Sequence, residues 1–518
     1  MSQYVIAPLL VALCTAILTL LTRRYGRTQR ALSLLGGLAY AAAVAWLALS
    51  VYPNTTAVYH LGDWPAPYGI VLVADSLSAF MLVIAAAVSV PALVFSLRYV
   101  SGFGQQVSYH ALFHFMLVGV TGAFLTGDIF NLFVWFEVML MSSYVLVVFY
   151  SGPEQTVAAL RYVVLNLVGS AVMLLAIGGL YATVGTLNMA DIAYRLGHAT
   201  EYGVHIPPVL GLTALLFTVF ALKAGIVPFH WWVPDAYAAA PAPVSAVLAG
   251  VVKKVGIYAI IRLYFTVFAA ASLPSLALPG DTVLGFFGVV LLSTGVLSAL
   301  YGGFVAVGQN DVERLLAYSS IGQVGFIVLP LAAAALAPEF AVLGVVAALV
   351  YALNHALAKG ALFLVAGTIR DAAGTTKFPD LGGLAGRSPL FSAAFLVAGL
   401  SLVGIPPLTG FFGKFLVFRA LAEPGVWVGL GAALVGAILT IAYVSRAWNR
   451  GFWGDRSPAV DGWDADPVQV GCVVVLVAAI VAVGVGFDPV LEFARSAAHA
   501  ALDRGDYVSA VLERGGGA

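Results

Sequence analysis

The chain has 518 residues, 62% of them hydrophobic and 9% charged, with a mean hydropathy of +1.01. A soluble globular protein carries about 25% charged residues and about 45–50% apolar ones, so no soluble fold of this size could hide so much apolar surface. The 24 basic and 24 acidic residues cancel, which excludes the basic excess of a nucleic-acid binder and the acidic excess of a disordered chain.

A bilayer core about 30 Å thick takes about 20 apolar residues per helix. On that rule the sequence predicts an all-α polytopic membrane protein of about fourteen helices. In chain order the apolar runs are 4–22, 31–51, 75–97, 108–126, 130–150, 157–183, 208–227, 244–268, 282–304, 315–336, 340–369, 389–418, 425–446 and 468–487. They show no period-two alternation, so a closed barrel is excluded. The first run lacks a basic flank and is too long for the apolar part of a secretory leader, so it reads as retained. The runs at 157–183 and 340–369 are long enough to hide tilt, a break or an extra turn. Polar stretches at 52–74, 186–207 and 448–467 read as loops, and no soluble domain is expected. Cys14 and Cys472 form neither a CxxC motif nor a disulfide framework. The tail from Leu491, with its closing glycine run, reads as a short amphipathic or frayed end.

Loop arginines set the orientation. Counting loops alternately puts Arg23, Arg24, Arg27, Arg30, Arg98, Arg314, Arg370, Lys377, Arg387, Arg446, Arg450 and Arg456 on one face, against little beyond Arg195 and Arg419 on the other. The positive-inside bias makes the first face cytoplasmic and both termini external.

Charges inside the spans are the informative ones. Glu137 falls near the middle of the fifth run, in Asn131-Leu-Phe-Val-Trp-Phe-Glu137-Val-Met-Leu. Of the six lysines, Lys223, Lys253, Lys254, Lys359 and Lys414 fall inside apolar spans and only Lys377 in a loop. A lysine at a helix centre costs roughly 2.5–3.5 kcal/mol on insertion scales, and a mid-span amine cannot snorkel to the headgroups. Lysine can release and regain a proton when desolvated, whereas arginine effectively cannot. In Leu353-Asn-His355-Ala-Leu-Ala-Lys359 the histidine and lysine share a helix face at i and i+4, and imidazole passes protons between its two nitrogens. His230 stands beside Trp231 and Trp232 at a span end, where an interfacial role is equally open. Two spans are interrupted close to a lysine: Pro228 follows Lys223, and Pro406 and Pro407 precede Lys414. Proline frees carbonyls that a membrane tolerates only where protein or water satisfies them. Paired interruptions in two halves of a transporter point to its ion pathway and to an inverted repeat. No cofactor-binding motif is visible.

The segment Lys223-Ala-Gly-Ile-Val-Pro-Phe-His-Trp-Trp-Val-Pro-Asp-Ala-Tyr-Ala-Ala-Ala-Pro-Ala-Pro-Val-Ser245 resembles the signature of antiporter-like subunits of respiratory complex I, membrane-bound hydrogenases and Mrp-type cation/proton antiporters. Glu313-Arg-Leu-Leu-Ala-Tyr-Ser-Ser-Ile-Gly-Gln323, the His355/Lys359 segment and Gly410-Phe-Phe-Gly-Lys-Phe415 resemble the same family, over nearly the whole chain. Within it, Gly62-Asp-Trp-Pro-Ala-Pro-Tyr-Gly-Ile-Val-Leu-Val-Ala-Asp75 and the chain length look like the D-type member of Mrp antiporters. The similarly sized M-type member of complex I usually has Glu where this chain has Lys414.

The resemblance implies fourteen helices with two five-helix inverted repeats, broken at the seventh and twelfth. It divides the chain into helices 1–3 (1–107), a first repeat (108–268), a second repeat (282–446) and helix 14 with the tail (447–518). It also implies a proton row running from Glu137 and Lys223 through Lys254, His355 and Lys359 to Lys414. Lys253 is a departure from the family pattern, an adjacent lysine facing about 100° away. The implied setting is a prokaryotic cell membrane, with partner subunits of the A, B, C, E, F and G types and with protons and Na⁺ or K⁺ as cargo. A redox-driven complex is the alternative. A membrane enzyme would concentrate acidic groups and a polar domain at the surface, and this chain instead concentrates basic groups within its spans.

Overall fold

The computed structural model describes residues 3–272 and 282–512. Among the described residues, thirteen helices are long and apolar enough to cross a bilayer. Two shorter helices, Pro389–Val403 and Thr409–Ala422, together occupy the place of the twelfth span. Counting that pair as one, the bundle has fourteen spans in the predicted order, and the chain is a multi-pass membrane protein. The two suspect runs are unbroken: the sixth span is a single helix Pro153–Val184, and the eleventh is continuous from Ala341 to Ala373.

Several span starts are fixed by aspartates that accept the backbone N–H of the first helical turn, which leaves one fewer donor unpaired. Asp75 accepts from Ser78 (2.9 Å), Asp128 from Asn131 (2.7 Å) and Asp311 from Arg314 (3.0 Å). Around two of these caps the same backbone joint recurs. At the start of the fifth span (Ile129–Val147), Ile129 N–H donates to the Leu187 carbonyl (2.9 Å) and Met189 N–H to that of Gly127 (2.8 Å). At the start of the tenth (Val312–Leu336), Val312 N–H donates to Thr376 and Phe378 N–H to Asn310, both at 3.0 Å. Five spans separate the joints, so they lie on opposite faces, which is the relation of an inverted repeat.

Both interrupted spans end their first half in the same way. In the seventh, Ile206–Ala224 stops at Gly225 (φ +66°), and Ile226 N–H reaches back to the Ala221 carbonyl at 2.9 Å. In the twelfth, Pro389–Val403 stops at Gly404 (φ +95°), and Ile405 N–H reaches the Leu400 carbonyl at 3.1 Å. A left-handed residue at this position suits glycine, and the six-to-one bond satisfies a terminal carbonyl. Pro228, Pro406 and Pro407 then follow with no N–H to continue either helix. The second half of the seventh span is Val233–Ala239.

Two loop expectations need correction. Stretch 52–74 contains a β-hairpin, Ala57–His60 against Val71–Ala74, antiparallel with Ala57 opposite Ala74. Stretch 186–207 contains a helix, Met189–Gly197, capped by Asn188. Of the two readings left open for the tail, amphipathic or frayed, fraying does not hold: it forms the helices Phe487–Leu502 and Arg504–Leu512 and folds back onto the bundle. There Thr266 donates to the Ala501 carbonyl (2.6 Å), and Tyr507 is fully buried. The closing glycine run lies outside the described residues.

Arginine is also not confined to loops. Arg262 sits inside the eighth span (Ala242–Ala270), its Nη2 2.5 Å from Asp75 Oδ2, with both side chains 2% exposed. Its guanidinium lies over the Tyr507 ring at 4.8 Å. A buried cation of this kind is tolerated because a carboxylate and aromatic faces replace its water.

Candidate functional site

All five span lysines are buried, and the tenth span supplies the hydrogen-bond partners of two of them, Lys253 and Lys359. The centre of the site is the eighth span, which carries a π turn over Leu248–Val252 just before its two lysines. Such turns insert an extra residue and re-aim the side chains that follow. Lys254 folds its amine onto the Ala249 carbonyl (2.8 Å) and onto Nδ1 of His355 (2.5 Å). The other ring nitrogen of His355, Nε2, meets the Ser320 hydroxyl at 3.2 Å. Lys253 donates to the carbonyl and hydroxyl of the same Ser320, at 3.3 and 3.4 Å. Two lysines, one serine and one imidazole therefore form a closed polar cluster, assembled from the eighth, tenth and eleventh spans.

Lys359 shares a helix face with His355, yet its amine turns to the Ser319 hydroxyl (2.5 Å) and the Leu316 carbonyl (3.0 Å). Lys414, on the far side of the twelfth-span break, donates to the Val403 carbonyl (3.1 Å) and lies over the Phe326 ring at 4.8 Å. Its carbonyl partner belongs to the last turn of the preceding half-helix, where the helix dipole favours a cation. Between Lys414 and the central cluster stands a polar knot. Tyr351 donates to Gln323, and Gln323 donates to Tyr443 (2.7 Å) and Thr440 (3.1 Å).

At the other end the expected Glu137–Lys223 pair is not made. Lys223 donates to Asn166 Oδ1 at 2.9 Å, while Glu137, half-buried rather than fully buried, accepts from the Ser170 hydroxyl. Asn166 and Ser170 stand one turn apart on the sixth span and interpose between acid and amine. No lysine is in an ion pair among the described residues; every ion pair there belongs to an arginine. The lysines are thus held by neutral acceptors.

On the arginine-rich face a cavity of about 940 Å³ is lined by Glu154, Arg161, Asp235, Glu313, Arg314 and Arg370 among others. Asp235 lies between Arg161 (2.6 Å) and Arg314 (3.8 Å), and buried Glu313 pairs with Arg370. His230 lines an adjoining cavity of about 460 Å³ with Arg161, Asp235 and Tyr301. It stacks on Trp231 at 4.8 Å and joins none of the lysines directly.

Sequence reasoning found the amines and His355 and missed the neutral polar groups around them. Asn166, Ser170, Ser319, Ser320 and Tyr351 are neutral polar residues of a kind scattered through membrane helices. The signal available was position: Ser319, Ser320 and Gln323 lie within the Glu313–Gln323 motif, and Asn166 and Ser170 are spaced i, i+4.

Fold and site together define a polytopic, inverted-repeat membrane protein whose ionisable groups run through its interior between two broken helices, the organisation of ion-translocating carriers. Residues 126–440 match the family described as NADH:quinone oxidoreductase/Mrp antiporter, transmembrane. The chain is 34% identical to the D-type polypeptide of the Na(+)/H(+) antiporter of Alkalihalophilus pseudofirmus, over 99% of this chain and 100% of that one. It is 38% identical to the N-type polypeptide of the NADH-quinone oxidoreductase of Desulforudis audaxviator, over 85% of this chain and 84% of that one. A polypeptide in the structure of the Mrp complex from Dietzia sp. DQ12-45-1b superposes with a TM-score of 0.88 at 27% identity, over 99% of this chain and all of that one. The chain belongs to the NADH:quinone oxidoreductase/Mrp antiporter family.

Proposed function

We propose that this chain is the proton-translocating component, of the D type, in a multisubunit antiporter exchanging protons for Na⁺ or K⁺. The observation that carries this reading is the central cluster. Lys254 and His355 are bonded directly in the middle of the bundle, with Lys359 beside them and a broken span with its own lysine on either side. The row runs from Glu137 and Lys223 through Lys254, His355 and Lys359 to Lys414. Each added charge disfavours the charged form of its neighbours, so occupancy propagates along the row. The observed separation of Glu137 from Lys223 corresponds to the stage at which Lys223, held by neutral Asn166, pushes its proton inward.

The protein acts as a transporter component and not as a catalyst of covalent chemistry. It lies in the cell membrane of a prokaryote with its arginine-rich face in the cytoplasm and both termini outside. Residues 108–268 and 282–446 form the two repeats, between helices 1–3 (1–107) and helix 14 with the tail (447–518), and A-, B-, C-, E-, F- and G-type subunits complete the complex. The 38% match to a polypeptide of an NADH-quinone oxidoreductase supports a second reading, a proton-pumping component of a redox-driven complex. Co-purification with iron–sulfur or quinone-reducing subunits would select it.

The relay is tested by Lys254→Ala in the intact complex, reconstituted in vesicles. Antiport, read as the pH gradient formed on adding Na⁺ or K⁺, is expected to fall to background while all subunits are still recovered together. Full antiport in a normally assembled complex would overturn the relay.

A further inference from the structure

Lys253 has no assigned role, yet it sits where two parts of the row meet. On one side its amine touches the seventh-span break. A Cβ placed on Gly225 would lie 3.2 Å from Lys253 Nζ. On the other side it bonds Ser320, the residue whose hydroxyl meets Nε2 of His355. It also lies over the Tyr237 ring, at 5.9 Å. A long apolar side chain would fill the site at lower cost than a buried amine.

We propose that Lys253 is a second relay amine: it passes protons through the Ser320 hydroxyl to Nε2 of His355, while Lys254 exchanges with Nδ1 of the same ring. In the transfer, an N–H bond of the Lys253 ammonium breaks and its proton joins Ser320 Oγ as the hydroxyl proton moves to Nε2. The imidazolium so formed releases its Nδ1 proton to the neutral amine of Lys254. One proton has then moved from Lys253 to Lys254, which loads Lys254 for its own step in the row, and both the Ser320 hydroxyl and the ring, left in its other tautomer, must turn back before Lys254 passes that proton on. The cations around this path are Lys254 and Lys359; Tyr237 is the phenol facing it. Lys253 thereby links the broken seventh span to the central imidazole, a junction that Lys254 alone does not make.

This inference rests on the proton-relay reading above, and the intact complex in vesicles tests both. Lys253→Met and Ser320→Ala are each expected to slow proton movement at saturating cation at least about tenfold, the scale of losing a positioned proton-transfer group. The half-saturating cation concentration is expected to stay unchanged. Because both residues serve one path, the double variant should be no slower than the slower single one. Lys253→Arg keeps the charge and the donors but cannot give up its proton, so it should remain slow. Full rate in Lys253→Met, rescue by Lys253→Arg, or losses that multiply in the double variant would each overturn the proposal. If Lys253→Met does not assemble, Lys253→Arg and Ser320→Ala decide. Background transport in Lys254→Ala beside full transport in Lys253→Met would sink this inference alone, whereas full transport in both would sink the relay itself.

Discussion

Arg262→Met is expected to destabilise the folded protein by about 3–5 kcal/mol, because it leaves the Asp75 carboxylate buried without its counter-charge. That carboxylate is 2% exposed and 2.5 Å from the guanidinium it would lose. The double variant Arg262→Met with Asp75→Ser should recover most of the loss. Replacing both members of a buried pair is often close to neutral, and serine can still accept the Ser78 N–H that Asp75 now caps. Heat inactivation of the detergent-solubilised complex would report the ranking. Equal loss in the single and double variants would show that the pair itself is not what fastens the hairpin, the eighth span and the terminal helix together.

Gly410→Ala is expected to abolish most transport, though the residue carries no chemistry. A Cβ there would stand 1.6 Å from the Ser401 carbonyl oxygen and 3.0 Å from Asn354 Nδ2. The first of these is backbone of the preceding half-helix and cannot swing aside, so the two halves of the twelfth span must separate. Overpacking of this kind costs about 1–3 kcal/mol, and here the displacement falls one turn before Lys414. The bond from Lys414 to the Val403 carbonyl spans this same gap, so the amine should lose its seat. Gly431→Ala, with open space around it, serves as the control and should transport normally. A Gly410→Ala complex that assembles and transports at full rate would mean that the geometry of the break does not set the position of Lys414.

The bundle was readable in the sequence because the bilayer imposes one length and one composition on every span, so apolar runs between charges marked all fourteen. The lysines were readable for the opposite reason: a charge in such a run is rare enough to stand out. Pairing was not readable. The family resemblance placed Glu137 with Lys223 at the head of the row, but the sixth span sets Asn166 and Ser170 between them, and one-dimensional spacing does not reveal which helix intervenes. The Arg262–Asp75 pair could not be read from the sequence because its members are 187 positions apart. The hairpin within 52–74 was hidden by the polar and proline-rich residues that mark its turn.

The groups of the proposed relay lie near the middle of their spans, spread sideways across the bundle from the fifth span to the twelfth. On that proposal, a charge moved from Lys223 towards Lys414 would cross from span to span at mid-span depth and so run roughly parallel to the membrane surface. The transmembrane potential, worth about 2.3 kcal/mol per charge per 100 mV over a full crossing, does almost no work on that leg. In such a relay voltage would act instead on the uptake of a proton from one face and its release to the other. Membrane potential should consequently set how often the ends of the row are filled and emptied, while the exchange between Lys254 and His355 runs at a rate that voltage leaves alone.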